Sequence, residues 1–338
     1  MASSVSIIIP CYNEQDTIRK LLEAIYVQTY TRADLEVIIV DGMSTDETLD
    51  EIASFTRSTP DLHVAVLDNP RRSIPSALNL ALSEAKGEII IRLDAHSSPY
   101  PDYVERCVAD LEAGLGESVG GIWEIHPGLD TWEARSIAAA ASHPLGVGDA
   151  LYRYTAKPGM VDTVPFGAFK RELLALVGFF DETLLTNEDY EFNARIRARG
   201  GKIWLDPTIR SIYYARKSYA DLARQYWRYG FWKFRMLRRY PKTIRWRQFL
   251  PPLFVFSLAG LAVLGVPWRG CLVLLGIEIL LYASILVATG ILYAFQRREA
   301  IMAFGLPLAI AVMHISWGSG FLWSMIKGKT AYTKAAIK

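Results

Sequence analysis

Four short apolar runs constrain this chain most. Val5–Ile9, Leu35–Val40, Leu62–Leu67 and Ile89–Leu93 are rich in β-branched residues, as buried strands are. Helix-period segments separate them. Glu14–Gln28 carries apolar residues at Ile18, Leu21, Leu22 and Ile25, with Asn13 placed to cap it. Thr45 is placed to cap a second helix reaching about Arg57, and Ile74–Ala85 reads as a third. Strands alternating with helices at this spacing predict an α/β fold, a mostly parallel sheet with helices on both faces.

In such sheets, ligands sit beyond the carboxyl ends of the strands. All four runs turn polar there: Asn13 and Glu14, Asp41, Asn69 with Arg71 and Arg72, then Asp94 and His96. The last strand stops in Asp94-Ala95-His96. Residues two apart on an extended strand share a side, so Asp94 and His96 either face one cation together or form a plain polar turn. No G-x-G-x-x-G follows the first strand and no G-x-x-x-x-G-K-[ST] occurs, which counts against dinucleotide oxidoreductases and P-loop NTPases. Further on, Tyr103–Leu111 and Trp132–Ala141 read as helices and Val119–Ile125 as a strand. Ser142–Met160 reads as a loop and Val161–Phe169 as strand and turn. Thr186-Asn187-Glu188-Asp189 opens a helix reaching Arg199, with Lys202–Leu205 a short strand. Acids at a helix start are also ordinary caps for the macrodipole.

The final ninety residues differ in kind. Apolar runs at about 249–267, 271–295 and 300–326 are each long enough, or nearly so, to span a bilayer. The first is short enough to be an interfacial or buried helix instead. Glu278 interrupts the second; it has no evident partner in sequence and reads as a packing residue. Before these runs, Ala215–Arg247 holds eleven Lys/Arg and one acid, Asp221, mixed with Tyr226, Trp227, Tyr229, Phe231, Trp232, Phe234 and Trp246. That mixture suits a cytoplasmic headgroup region, and with a net charge of only +2 it does not indicate nucleic acid. Three crossings would place the tail 327–338 outside, yet its four lysines favour inside. Cys11, Cys107 and Cys271 are too few and too scattered for a disulfide framework or a zinc site. No basic n-region precedes the first strand, so no signal peptide is expected and the first domain is expected in the cytoplasm.

Taken in order, several of these segments resemble family 2 glycosyltransferases of the GT-A fold. Ser6-Ile7-Ile8-Ile9-Pro10-Cys11-Tyr12-Asn13-Glu14 and Glu36–Asp46 are similar to the family's opening motifs. Asp94-Ala95-His96 sits at its D-x-D, Glu188-Asp189 at its E-D, and Gln225-Tyr226-Trp227-Arg228-Tyr229 at its Q-x-x-R-W. The membrane-attached branch typified by succinoglycan glucosyltransferases is the most similar. Two positions depart: His96 replaces the second aspartate, and Tyr229 replaces the tryptophan. A neutral imidazole brings no charge and is a softer ligand, leaving Mn²⁺ and Mg²⁺ both open.

The resemblance implies a GT-A catalytic domain over 1–210, basic-aromatic interface helices over 211–248, a transmembrane region over 249–326 and a basic tail over 327–338. It implies that Asp94 and His96 hold a divalent cation. Asp189 is then the base for the acceptor hydroxyl and Glu188 its helper, with inversion at the sugar carbon. Pro10, Tyr12, Glu14, Asp41, Asp94 and, more weakly, Arg71 line the nucleotide; Gln225 and Arg228 meet the diphosphate. The expected activity transfers a sugar, glucose by the resemblance, from a UDP-sugar to a polyprenyl-linked saccharide at the cytoplasmic face of a multi-pass inner-membrane protein, in exopolysaccharide assembly. Transfer of one sugar to polyprenyl phosphate is the alternative. A processive synthase or a non-catalytic nucleotide-sugar-binding scaffold fits less well.

Overall fold

The computed structural model describes residues 3–241 and 245–327. The strands are β1 Val5–Cys11, β2 Leu35–Asp41, β3 His63–Asp68, β4 Ile89–Arg92, β5 Ser98–Pro99, β6 Ser118–His126, β7 Gly159–Met160, β8 Ala168–Lys170 and β9 Ile203–Tyr214. The helices are α1 Ile18–Tyr26, α2 Thr48–Ser58, α3 Ile74–Glu84, α4 Tyr103–Glu112, α5 Trp132–Ala141, α6 Pro144–Val147, α7 Leu173–Val177, α8 Glu188–Ala198, α9 Tyr219–Arg239, α10 Leu250–Leu264, α11 Arg269–Arg297 and α12 Met302–Lys327.

Two compact units share the chain. The first is Met1–Glu124 with Ala150–Tyr213; the second is Ile125–Asp149 with Tyr214–Lys338. The sheet order is β3-β2-β1-β4-β8-β6-β9-β5, with β7 on β9. The first four strands run parallel, and β8 is antiparallel to both β4 and β6.

Strand parity sorts the core of the first unit into two layers. Val5, Ile7, Ile9, Val37, Ile39, Ile89 and Ile91 pack with residues of α1, α2 and α4. Ile8, Ile38, Val40 and Ile90 pack with residues of α3, α7 and α8. Position 92 shares the parity of Ile90, so its side chain belongs to the layer where α8 lies. That parity builds the site described below.

Some local readings need correction. α1 begins at Ile18, not Glu14, and Asn13 does not cap it; neither does Thr45 cap α2, which begins at Thr48. The Asn13 and Thr45 side chains bond the neighbouring loop instead. Ser142–Met160 is not all loop, since it holds α6 and β7. Within Val161–Phe169 the strand starts only at Ala168. The short strand expected to end at Leu205 continues to Tyr214, through Pro207. Asp206 accepts from the Thr208 backbone N–H (2.8 Å) and hydroxyl (2.8 Å), a local turn that the strand absorbs.

In the second unit, Trp246–Leu264, which ends in α10, and the helices α11 and α12 are long and apolar enough to cross a membrane. Glu278 has a partner after all: the Ser257 hydroxyl on α10 donates to it. His314 is satisfied by Tyr282 (3.0 Å) and the Leu145 carbonyl (2.9 Å). His143 accepts from the Leu145 N–H, and His126 packs on Tyr214. Residues 328–338, most of the basic tail, lie outside the described residues.

The tightest backbone approach in the first unit is at Gly121, where an added Cβ would stand 1.7 Å from the Ile209 carbonyl oxygen. Gly121→Ala is expected to cost about 3 kcal/mol or more. Gly159→Ala, in open space, is expected to be nearly neutral. Thermal unfolding of the full chain in detergent compares the two; equal stability would contradict the close approach.

Candidate active site

The parallel register places Cys11 beside Asp41, and Asp41 beside Asp68. Residues that follow these strands therefore share one edge. The loops there are laced together. Asn13, at φ +53°, donates its backbone N–H to Ser44 Oγ (2.8 Å) and accepts from the Thr45 N–H at Oδ1 (2.8 Å). The Glu14 N–H donates to Thr48 Oγ1 (2.8 Å). Asp41, 1% exposed, accepts from the Ser44 N–H (2.8 Å) and hydroxyl (2.5 Å). Its carboxylate is thus committed to shaping its own loop. Pro10 lies half-buried within β1, one residue before its end, and Tyr12 is exposed beside this edge. Arg71 is exposed and ion-paired with Glu182.

The fourth strand end carries the main cluster. Arg92 is only 7% exposed. Its Nε and Nη2 donate to Asp94 Oδ1 at 3.2 and 3.0 Å. Its Nη1 stands 3.0 Å from Glu188 Oε1, the first residue of α8 and itself 5% exposed. The segments that carry D-x-H and E-D are therefore tied through one buried guanidinium. Burial alone would lower the pKa of Arg92; the carboxylates of Asp94, Glu188 and Asp189 outweigh it and raise that pKa. Glu188 is pushed up by burial, a shift that Arg92 opposes and Asp189 reinforces. Asp189 follows on the first turn of α8 and accepts from the Tyr190 N–H (2.7 Å).

A second link joins the first and fourth strand ends. His96 Nδ1 lies 2.9 Å from Glu14 Oε1, while Glu14 Oε2 accepts from the Thr17 hydroxyl (2.5 Å). A carboxylate on one ring nitrogen is the arrangement that orients a metal-binding imidazole. Among the described residues there is no cluster of three or more His, Cys, Asp or Glu arranged to hold a metal. The Ser97 N–H donates to the Asp94 carbonyl (2.9 Å), so Asp94-Ala95-His96 forms a polar turn after β4 and does not continue the extended strand.

Gln225 and Arg228 belong to the second unit, on α9. Gln225 donates to the Tyr229 hydroxyl (2.9 Å), and Arg228 is exposed. The residue that sequence reasoning missed is Arg92. Its signal was present: a cation inside an apolar strand requires buried partners of opposite charge.

The family model for glycosyl transferase family 2 matches residues 6–177. The chain belongs to that family. This family 2 glycosyltransferase is 32% identical over 324 residues to the succinoglycan biosynthesis protein ExoA of Rhizobium meliloti (strain 1021), covering 95% of this chain and 94% of the relative. It is 28% identical over 334 residues to a dolichyl N-acetyl-alpha-D-glucosaminyl phosphate 3-beta-D-2,3-diacetamido-2,3-dideoxy-beta-D-glucuronosyltransferase of Methanococcus voltae, covering 97% and 99%. Among solved structures, the mannosyltransferase PcManGT from Pyrobaculum calidifontis, in complex with GDP-Man and Mn²⁺, superposes with a TM-score of 0.60. The match covers 93% of this chain and 88% of the other at 22% identity, which establishes the shared GT-A fold. This transferase thus has the α/β GT-A fold followed by three long apolar helices.

Removing one partner of a buried ion pair commonly costs about 3–5 kcal/mol. Arg92→Met is expected to lose stability on that scale, because Glu188 is left buried and uncompensated. Arg92→Met with Glu188→Met is expected to recover part of the loss. Additive losses in the double-mutant cycle, read by thermal unfolding, would show that the pair is not coupled.

Proposed function

We propose that this glycosyltransferase moves a sugar, with inversion, from a UDP-sugar to a lipid-linked saccharide at the cytoplasmic face of a membrane, in assembly of an exopolysaccharide or similar surface glycan. The observation that carries the chemical part is the Arg92 bridge between Asp94 and Glu188, which brings the segment of the proposed base to the segment of the proposed diphosphate site. A lipid-linked acceptor is supported by the Methanococcus voltae relative, whose name describes transfer to a dolichyl-phosphate-linked sugar, and by three helices able to enter a bilayer. Glucose as the donor sugar rests on the motif resemblance to succinoglycan glucosyltransferases alone.

In this reading Asp189 takes the proton from the acceptor hydroxyl as that oxygen attacks the sugar carbon in line with the departing diphosphate. Glu188 is a positioning residue: buried against Arg92, it fixes the start of α8 and with it Asp189. Asp94 and His96 would hold a divalent cation, Mn²⁺ or Mg²⁺, which when bound offsets charge on the leaving diphosphate. Arg92 keeps Asp94 Oδ1 occupied and so aims the other oxygen. Glu14 orients His96. Tyr12, Pro10 and Asp41 shape the nucleoside slot, Asp41 through the Ser44 turn, with Arg71 at its margin. Gln225 and Arg228 are assigned to the diphosphate on the strength of the Q-x-x-R motif.

Asp189→Asn is expected to lower turnover by roughly 10²–10⁴-fold while UDP still binds, as measured by calorimetry beside a transfer assay with a lipid-linked acceptor. Undiminished turnover would remove Asp189 as the base. Asp94→Ala is expected to abolish the strengthening of UDP binding by Mn²⁺ or Mg²⁺. If the cation still strengthens UDP binding in that variant, Asp94 is not its ligand.

A further inference from the structure

The three long apolar helices are not equivalent. In the most apolar stretch of α10 and of α11, 6% of the residues are buried; in α12 the figure is 44%. The cover over α12 comes chiefly from α9. Tyr219 donates to the Gly305 carbonyl (3.2 Å), and the rings of Phe234 and Phe321 lie 5.2 Å apart. Between these contacts the two backbones touch: a Cβ on Gly230 would stand 2.0 Å from the Trp317 oxygen, and one on Gly320 2.1 Å from the Trp227 oxygen. The outer pairs, Tyr219 with Gly305 and Phe234 with Phe321, advance together along both chains, so α9 and α12 run side by side in the same direction. From Gly305 to Phe321 that is about 24 Å of shared length.

The composition of α9 makes this decisive. It carries Arg224, Arg228, Lys233, Arg235, Arg238 and Arg239 against the single acid Asp221. A helix spanning beside it would take this cationic partner through the hydrocarbon core, where such residues are rare and costly. Polar contacts also tie down α12 and its approach. Arg135 of α5 pairs with Glu299 just ahead of α12 (3.3 Å), and His314 holds the Leu145 carbonyl within α6 (2.9 Å).

The other two helices also touch α12, Tyr282 of α11 at His314 (3.0 Å), Gly290 of α11 at Pro307 and Pro251 of α10 at Gly318, but they bury little beyond these contacts. Trp246–Leu264, which includes α10, has 19 residues and α11 has 29, about 28 and 43 Å long. A bilayer core is about 30 Å thick. They are joined by the Ser257–Glu278 hydrogen bond and by the Phe254–Tyr282 ring contact at 4.3 Å. The connection between them exposes Val266 and Trp268, apolar residues suited to a far interface.

We infer that α12 lies along the membrane surface with α9, that the α10–α11 hairpin makes the only two crossings among the described residues, and that the basic tail stays on the side of α9. The inference rests on the reading of the second unit as membrane-embedded. It also reconciles the tail lysines with the bias of basic residues toward the cytoplasm, which three crossings would violate.

The test uses the full chain in a bacterial inner membrane. A green fluorescent protein fused after Lys338 reports the tail, since it fluoresces only when folded in the cytoplasm. Val266→Cys, in a Cys271→Ser background, reports the hairpin tip to a membrane-impermeant maleimide. The expected result is a fluorescent tail, with Val266→Cys labelled in intact cells at least tenfold above its parent. A dark tail on a full-length, membrane-retained fusion would overturn the inference alone, as would a tip labelled only after lysis. Release of the chain by alkaline carbonate would overturn the membrane reading and the inference with it.

Discussion

The candidate site depends on one buried charge. Arg92 is a cation in a strand whose other residues, Ile89, Ile90 and Ile91, are fully buried and apolar. A lone guanidinium there would be prohibitively unstable, so the fold must bring carboxylates to it. Asp94 follows two residues on, just past the end of that strand. Glu188 comes from a helix that packs on that face nearly a hundred residues later. The strand end and the helix start are thus held in register by the requirement that Arg92 be paired, and Asp189, next in the chain, inherits its place from that pairing. An interaction first needed for folding thereby fixes the geometry available for chemistry.

How much of this was legible in the sequence depends on where the determining force lies. β1, β2 and β4 were readable because burial on both faces demands continuous β-branched runs; β3 is largely exposed and was readable by its place in the alternation, and all four appear within two residues of the expected bounds. The caps were not readable. Asn13 and Thr45 have the chemistry to cap their own helices, but each finds its partner on the other's loop, across 32 residues of chain. The strand expected to stop at Leu205 runs on, because Asp206 satisfies the local backbone in a turn and the strand resumes. At Asn13 and Thr45 a tertiary hydrogen bond displaced the local preference that sequence reasoning uses. Asp94, His96, Glu188 and Asp189 were found by motif. Arg92 was overlooked because the motif begins two residues after it.

Hydropathy has a similar blind spot. It records how apolar a helix is and not what covers it. Of α10, α11 and α12, only the last is sheathed, and its sheath is the cationic helix that the sequence marks as a surface element. Apolar residues on α12 answer largely to α9 and α5, as core residues do, whereas most of those on α10 and α11 stay exposed. Packing, which appears only in three dimensions, separates a buried helix from a spanning one.

The replacement of an aspartate by His96 also becomes intelligible at this level. Glu14 Oε1 lies 2.9 Å from the imidazole. A carboxylate at position 96 would face Glu14 as a like charge at close range, and one of the two would have to take up a proton or turn away. An imidazole accepts the same neighbour as a hydrogen-bond partner and is oriented by it. The strand ends here already gather Asp94, Glu188 and Asp189 around a single buried cation, Arg92. An imidazole at position 96 therefore adds no further negative charge to this edge, while Glu14 beside it keeps one carboxylate there.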